Sequence, residues 1–333
     1  MSIPFSILDL APIGEGQSVA DAIQNSKALA QCAEANGYQR VWLAEHHGMR
    51  GIASAATAVM LGAIGEATSK IRIGSGGVML PNHAPLVIAE QFGTLAEMFP
   101  GRVDLGLGRA PGTDMATARA LRRNLGGPVD TYADDVEELQ GYLADENKIK
   151  PIMAMPGQGT NIPIWLLGSS LYSAQLAAHM GLPFSFASHF APDMLLEALN
   201  VYRANFRPSE QLDKPYVSAG VMASVAETDE EAKYHFTSAQ IKFAHLRRNA
   251  NRPFPKPVAD LQSAVAAAEM PMINQTLRYA MVGSPTTVEH RLAQFIELTD
   301  VDEIIISFPL HDPQVRLQAV ELMAGASLMA KQA

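Results

Sequence analysis

Apolar residues fall along this chain in two alternating rhythms. Short, almost uniformly apolar runs bounded by glycine or proline recur between longer stretches in which apolar residues return every three or four positions. The clearest unit is residues 71–112, IRIGSGGVMLPNHAPLVIAEQFGTLAEMFPGRVDLGLGRAPG. Its two apolar runs, 71–80 and 103–107, are too short for helices and too uniformly apolar for a sheet with one wet face. Both are expected as strands buried on both sides, with a helix over 84–99 between them, which makes a parallel βαβ unit. Glycines gather where the strands end, at Gly74, Gly76, Gly77, Gly106 and Gly108. Glycine weakens a strand interior, so such clustering marks a bulge, an unusual backbone torsion or the close approach of a ligand.

The same alternation runs through the rest of the chain. Strands are expected over 5–10, 40–44, 163–167, 184–187, 216–224 and 303–308. Helices are expected over 18–36, with Ser18 as N-cap and Asn36-Gly37 as stop, and over 53–67, 132–143, 170–179, 193–206, 227–247, 287–298 and 313–329. Residues 151–161 form a turn-rich insertion. The segment 249–285 carries five prolines and no strand and helix alternation of its own, so it is expected as an excursion rather than a second domain. Eight strands alternating with helices, without a break in composition, favour a closed (β/α)8 TIM barrel with insertions over an open doubly wound sheet.

Composition narrows the partners. A chain of 333 residues that is 48% hydrophobic can bury a large core. Its formal net charge of −9 argues against nucleic acid and against an anionic membrane surface, since both demand a basic face. The opening MSIPFSILDLAP lacks the basic and apolar regions of a signal peptide, and no apolar run approaches the ~20 residues of a bilayer span, so a soluble, cytoplasmic protein is expected. Cys32 is the single cysteine, which excludes an intrachain disulfide and a cysteine metal cluster and leaves a packed thiol.

In a barrel of this kind reactive groups stand at the C-terminal ends of the strands. The polar residues expected there are Asp9, His46, His47, Asn82, His83, Arg109, Ser169, Ser170, His189 and His311, so five of the nine histidines follow strands. His46 is either a functional imidazole or a strand cap bonded to a backbone carbonyl. His47 should face the other way, because adjacent strand residues alternate, and it reads as structural. With neither His-x-His nor HExxH present, no metal is expected. A GxGxxG fingerprint fails at both glycine clusters, its third position falling on Pro111 or Met79, and there is no P-loop or GxSxG. Arg109 leaves its strand in a glycine-rich turn, where it could pair with Asp104 or Asp114 or bind a phosphate. Gly168-Ser169-Ser170-Leu171-Tyr172-Ser173 opens a helix, either as an ordinary serine cap or as free N–H groups for an anion. The fourth and fifth strands are neighbours, so both segments could grip one phosphate.

The motifs WLAEHH (42–47), IGSGGVMLPNHAPLVIAEQFGTLAEMFPGRVDLGLGRAPG (73–112), LLGSS and AAHMGLPFSFASHF (within 166–190) and VGSP (282–285) together resemble the bacterial luciferase-like flavin monooxygenase family over nearly the whole chain. The resemblance implies one (β/α)8 barrel domain over 1–333 that binds reduced FMN (FMNH2) non-covalently. It implies reaction with O2 through a flavin C4a-peroxide to oxidise a small organic substrate. His46 matches the family's catalytic histidine and Arg109 its phosphate-binding arginine. Ser169, Ser170 and Ser173 match the helix-start positions that hold the phosphate, and Gly76-Gly77 matches a non-proline cis peptide against the flavin ring. Gly108 stands where the light-emitting subunit has cysteine, so luminescence is not implied. The segment 249–285 would be an active-site lid. With no dinucleotide fingerprint, reduced flavin should come from a separate NAD(P)H:flavin reductase. A homodimer through residues 53–61 and 89–98 is also implied. Two other readings share these residues: an F420-dependent hydride-transfer enzyme, and a non-catalytic flavin-binding protein.

Overall fold

The structure, a computed structural model, describes residues 2–110, 113, 115–121, 131–146 and 148–330. Its strands are β1 (Ile3–Asp9), β2 (Arg40–Leu43), β3 (Arg72–Met79), β4 (Val103–Gly108), β5 (Ile164–Gly168), β6 (Phe184–Phe186), β7 (Val217–Val225), β8 (Met281–Gly283), β9 (Glu303–Ser307) and β10 (Met329–Ala330). The helices are α1 (Val19–Ala35), α2 (Thr57–Ala67), α3 (Pro85–Met98), α4 (Met115–Leu121), α5 (Tyr132–Leu143), α6 (Leu171–Met180), α7 (Leu195–Asn205), α8 (Asp229–Arg247), α9 (Met270–Thr276), α10 (Pro285–Thr299) and α11 (Pro313–Ala324). Strands β1 to β7 pair in sequence order, all parallel, and β9 pairs with both β7 and β1. These eight close the (β/α)8 barrel that the apolar rhythm predicts.

Alternation along each strand sorts its side chains into two cores. Outward residues such as Ile73, Val103, Leu105, Leu107, Phe184, Phe186, Ile304 and Ile306 pack against the helices in the main hydrophobic cluster. Inward residues include Leu8, Trp42, Trp165 and Ile305, which form a separate cluster inside the barrel. Below that cluster, at the N-terminal floor, lies a charged network that composition gave no sign of. The Arg40 guanidinium donates to Asp104 Oδ2 at 2.7 Å and to both Glu303 oxygens at 2.9 and 3.1 Å. Trp42 Nε1 and Arg72 complete the shell of Asp104, and Ser6 and Tyr216 that of Glu303. Burial alone would lower the affinity of Arg40 for its proton, but Glu303 and Asp104 together raise it above the ordinary value.

The structure departs from the expected elements in four places. The helix at 53–67 starts only at Thr57, and the last helix ends at Ala324, after which β10 pairs with Ile3 and Pro4 at the start of β1. A short helix, α4, stands where a loop was expected. Segment 249–285 does have elements of its own: α9, and β8, which pairs with Ala223 to Val225 where β7 overshoots the barrel. Three-residue and two-residue strands are too short to carry a periodicity. Together with α8 this segment builds a second small core of Met222, Phe236, Ala239, Ile241, Ala244, Val265, Ile273, Leu277 and Ala280. It forms a helical cap, held to the barrel at Ile13, Gly14 and Gly51.

Candidate active site

The C-terminal rim carries most of the residues singled out by sequence, in three groups. The first is at the end of β2. Glu45 is buried, and its Oε1 accepts from His47 Nε2 at 2.7 Å and His83 Nε2 at 2.8 Å, while its Oε2 accepts from the Met79 N–H at 3.1 Å. Burial pushes the carboxyl up, but the hydrogen bonds and charge of His83, with those of His47 and Met79, bring it below its usual value. An ionised carboxylate only accepts, so both rings present Nε2–H to it. This latch ties the end of β2 to the end of β3. Thr113 Oγ1 donates to the His47 carbonyl at 3.0 Å and ties in the segment after β4. No metal was expected, yet the donor atoms of Glu45, His47 and His83 lie within 4.8 Å of one another. As arranged, the carboxylate joins both rings by hydrogen bonds. Sequence reasoning passed over Glu45. The signal was available: Glu45 and His47 are two apart, so the alternation that turns His47 away from His46 turns it towards Glu45.

The second group lines the mouth. His46, just beyond β2, is half-buried, and its charge reaches His189, which follows β6 on the far side of the barrel. Burial first, and His46 second, push the His189 imidazole down to about 4, so at neutral pH it carries no charge. Its Nδ1 is buried without a hydrogen-bond partner among the described residues. A Cβ on Gly220 of β7 would come within 2.2 Å of that nitrogen, so glycine there makes room for the ring. The wall between is glycine as well. The Gly76-Gly77 peptide is cis, at a bulge where the β3–β4 register shifts between Ser75 and Val78. A Cβ on Gly77 would meet Gly106 O at 2.6 Å, and one on Gly106 would meet Ser75 O at 2.2 Å. Close approach of backbone to backbone therefore accounts for these glycines.

The third group joins β4 to β5. The Arg109 guanidinium lies over the Tyr172 ring, 4.2 Å from its centroid, in the first turn of α6. Asp104, one expected partner of Arg109, is occupied by Arg40, Arg72 and Trp42 on the floor; Asp114, the other, lies outside the described residues. Ser170 is the N-cap of α6 in an extended conformation, and no side chain caps the helix. Its first N–H groups therefore lack the usual side-chain acceptor, beside a cation. Ser173 is buried one turn in, and a Cβ on Gly168 would overlap its hydroxyl at 2.2 Å. Arg109, Ser169, Ser170 and Ser173 thus converge at one corner of the rim.

Two of the expected rim residues serve the scaffold. Asp9 is fully buried, where it accepts from Arg316 and Ser26 at 2.6 Å each and from the Ala11 N–H at 2.9 Å. His311 Nε2 lies 3.1 Å from the Glu15 carbonyl, in the loop after β1.

Comparison with known proteins gives a consistent picture. A family model described as luciferase-like monooxygenase matches residues 3–302. A luciferase-like monooxygenase of Escherichia coli (strain K12) is 50% identical over 321 residues, 96% of each chain. The N-acetyl-S-alkylcysteine monooxygenase of Bacillus subtilis (strain 168) is 32% identical over 99% of each. Among solved structures, apo-MsnO8 superposes with a TM-score of 0.90 at 32% identity, covering 99% of this chain and 100% of the other.

Proposed function

The chain belongs to the luciferase-like monooxygenase family, and from that premise we propose that it is an FMN-dependent monooxygenase that oxidises a small organic substrate with O2. The observation that carries the choice of a phosphorylated flavin is the corner where Arg109, stacked on Tyr172, meets the uncapped start of α6. An arginine with free backbone N–H groups and serine hydroxyls fits a phosphate. Bound there, reduced FMN supplies the two electrons that let one oxygen atom of O2 enter the substrate while the other leaves as water.

The chain's own residues bind, orient and exclude water. Arg109, Ser169, Ser170, Ser173 and the α6 amides hold the phosphate. Gly76 and Gly77 present a wall without side chains to the flavin ring. His46 hydrogen-bonds at the reacting face, its backbone fixed by the Glu45 latch on either side. The cap over 249–285 acts as the lid that keeps the mouth dry. Reduced flavin is delivered by a separate NAD(P)H:flavin reductase in the cytoplasm, and no helix among the described residues is long and apolar enough to cross a membrane. A homodimer through α2 and α3 fits the exposure of Val59, Val87 and Met98 on those helices. The relative named for N-acetyl-S-alkylcysteine makes thioethers the first substrates to try.

The test has two stages. Titrated with FMN, riboflavin and F420, the protein should bind FMN at least about tenfold more tightly than riboflavin, the value of one charged hydrogen bond, and more tightly than F420. Equal affinity for FMN and riboflavin would remove the phosphate corner from the argument. FMNH2 followed by ¹⁸O2 in the presence of thioethers should then give one labelled oxygen in the product, with His46→Ala lowering the yield but not the FMN affinity. Substrate reduction or hydride exchange without label would replace the monooxygenase reading with a hydride-transfer one.

A further inference from the structure

Helix α8 is buried on two sides. One side, with Phe236, Ala239, Ile241 and Ala244, packs into the small core of the cap. The other carries Ser238, Lys242 and His245, which stand at i, i+4 and i+7 and so share one stripe. A buried polar stripe is expected to be matched by acceptors, and this one is not. Ser238 is fully buried and His245 is 8% exposed, yet Ser238 Oγ and His245 Nδ1 have no hydrogen-bond partner among the described residues. Between them the half-buried Lys242 ammonium reaches, among the described residues, only the Arg252 carbonyl, at 3.4 Å. Burial pushes this ammonium down, and burial and then Arg252, Lys242 and Arg248 do the same to His245. The nearby carboxylate is Glu15, which accepts from the Lys256 N–H at 3.4 Å.

The stripe also faces the catalytic loop. A Cβ on Gly51 would come within 3.2 Å of Lys242 Nζ, and Gly51 lies in the segment that runs from His46 into α2. A half-buried cation flanked by a buried hydroxyl and a buried imidazole, with no carboxylate hydrogen-bonded to any of the three among the described residues, is a donor set in search of an anion. Such donors suit the two oxygens of a carboxylate.

We propose that Ser238, Lys242 and His245 form an anion subsite under the cap, which binds the carboxylate of the organic substrate while its oxidisable end lies at the mouth by His46. The inference rests on the monooxygenase reading for what happens at the other end of the molecule. The subsite itself is a binding property and is tested as one.

The probes are (phenylthio)acetate and its methyl ester, which share the apolar end and differ in charge. Binding to the full-length protein, with and without FMN, is followed by calorimetry, and FMN binding is followed separately by fluorescence. The acid should bind at least about tenfold more tightly than the ester, as expected for one charged hydrogen bond. Lys242→Gln should abolish that preference, Ser238→Ala should reduce it, and neither should alter FMN affinity. Lys242→Arg, which keeps the charge, should retain part of it and guards against loss by misfolding. Equal binding of acid and ester, no binding of either, or a preference that survives Lys242→Gln overturns the proposal. So does weaker FMN binding in Lys242→Gln, which would assign the stripe to the flavin phosphate. If the acid preference holds but FMN does not bind, the subsite stands and the flavin reading falls.

Discussion

The floor and the mouth of the same barrel treat polar groups in opposite ways. On the floor, Arg40, Arg72, Asp104, Glu303, Ser6, Tyr216 and Trp42 join in one network in which every charge meets its opposite. At the mouth, glycines replace side chains, the α6 start has no side-chain cap, and His189 Nδ1 faces no partner among the described residues. Both ends are made of strand residues with the same alternation. What separates them is whether the protein itself completes the hydrogen bonds: the floor does so throughout, and the mouth leaves groups for which a ligand is proposed.

Substitutions can break this contrast. The largest effect should come from the floor: Glu303→Ala removes two of the three hydrogen bonds of the buried Arg40 guanidinium, leaving Asp104, and should cost about 3 to 5 kcal/mol in urea unfolding, with FMN affinity of the folded fraction unchanged. A loss under about 1 kcal/mol would mean that the floor is no better knit than a surface pair. At the mouth the pattern should invert. Arg109→Ala should weaken FMN binding by about 1.5 to 3 kcal/mol in a fluorescence titration, while moving unfolding stability by no more than about 0.5 kcal/mol.

Acid sharpens the contrast further. His189 titrates near 4 when folded and near its ordinary 6.5 when unfolded. Between those values the unfolded chain holds a proton that the folded chain does not. Stability should therefore fall as pH drops through that window, and His189→Asn should flatten that part of the curve. An unchanged slope in a series of urea melts would show that the ring is open to water.

The smallest effect compares two serines at helix starts. Ser18 makes a full capping box with Asp21, and Ser18→Ala should cost about 1 kcal/mol. Ser170 makes no capping bond, so Ser170→Ala should change stability by less than about 0.3 kcal/mol and show itself only in FMN affinity. Equal costs in thermal melts would make Ser170 an ordinary cap.

The legible part of the molecule is the part governed by local rules. Apolar runs located the eight barrel strands within a few residues, and Ser18 and Asn36 fixed the two ends of α1 as expected. Arg109 and the serines could be linked because neighbouring parallel strands bring their following loops together. The floor was hidden because Arg40, Asp104 and Glu303 are far apart in sequence and each looks like an isolated charge at the edge of an apolar run. The α8 stripe was hidden for a related reason. On its own the helix reads as amphipathic with one wet face, and only the fold of the cap withdraws that face from solvent. Strands β8 and β10 exist through the partners they find, β7 and β1, rather than through any pattern of their own.

Asn251 gives the cap a further property. Its side-chain oxygen accepts from the Arg50 N–H at 2.8 Å and its amide donates to the Gly48 carbonyl at 2.7 Å. The cap is thereby pinned to the peptide just past His46. Lifting the cap at Asn251 would break both bonds at once, so the position of the cap and the path of the chain just past His46 are tied to one side chain as well as to the Phe254 backbone contacts.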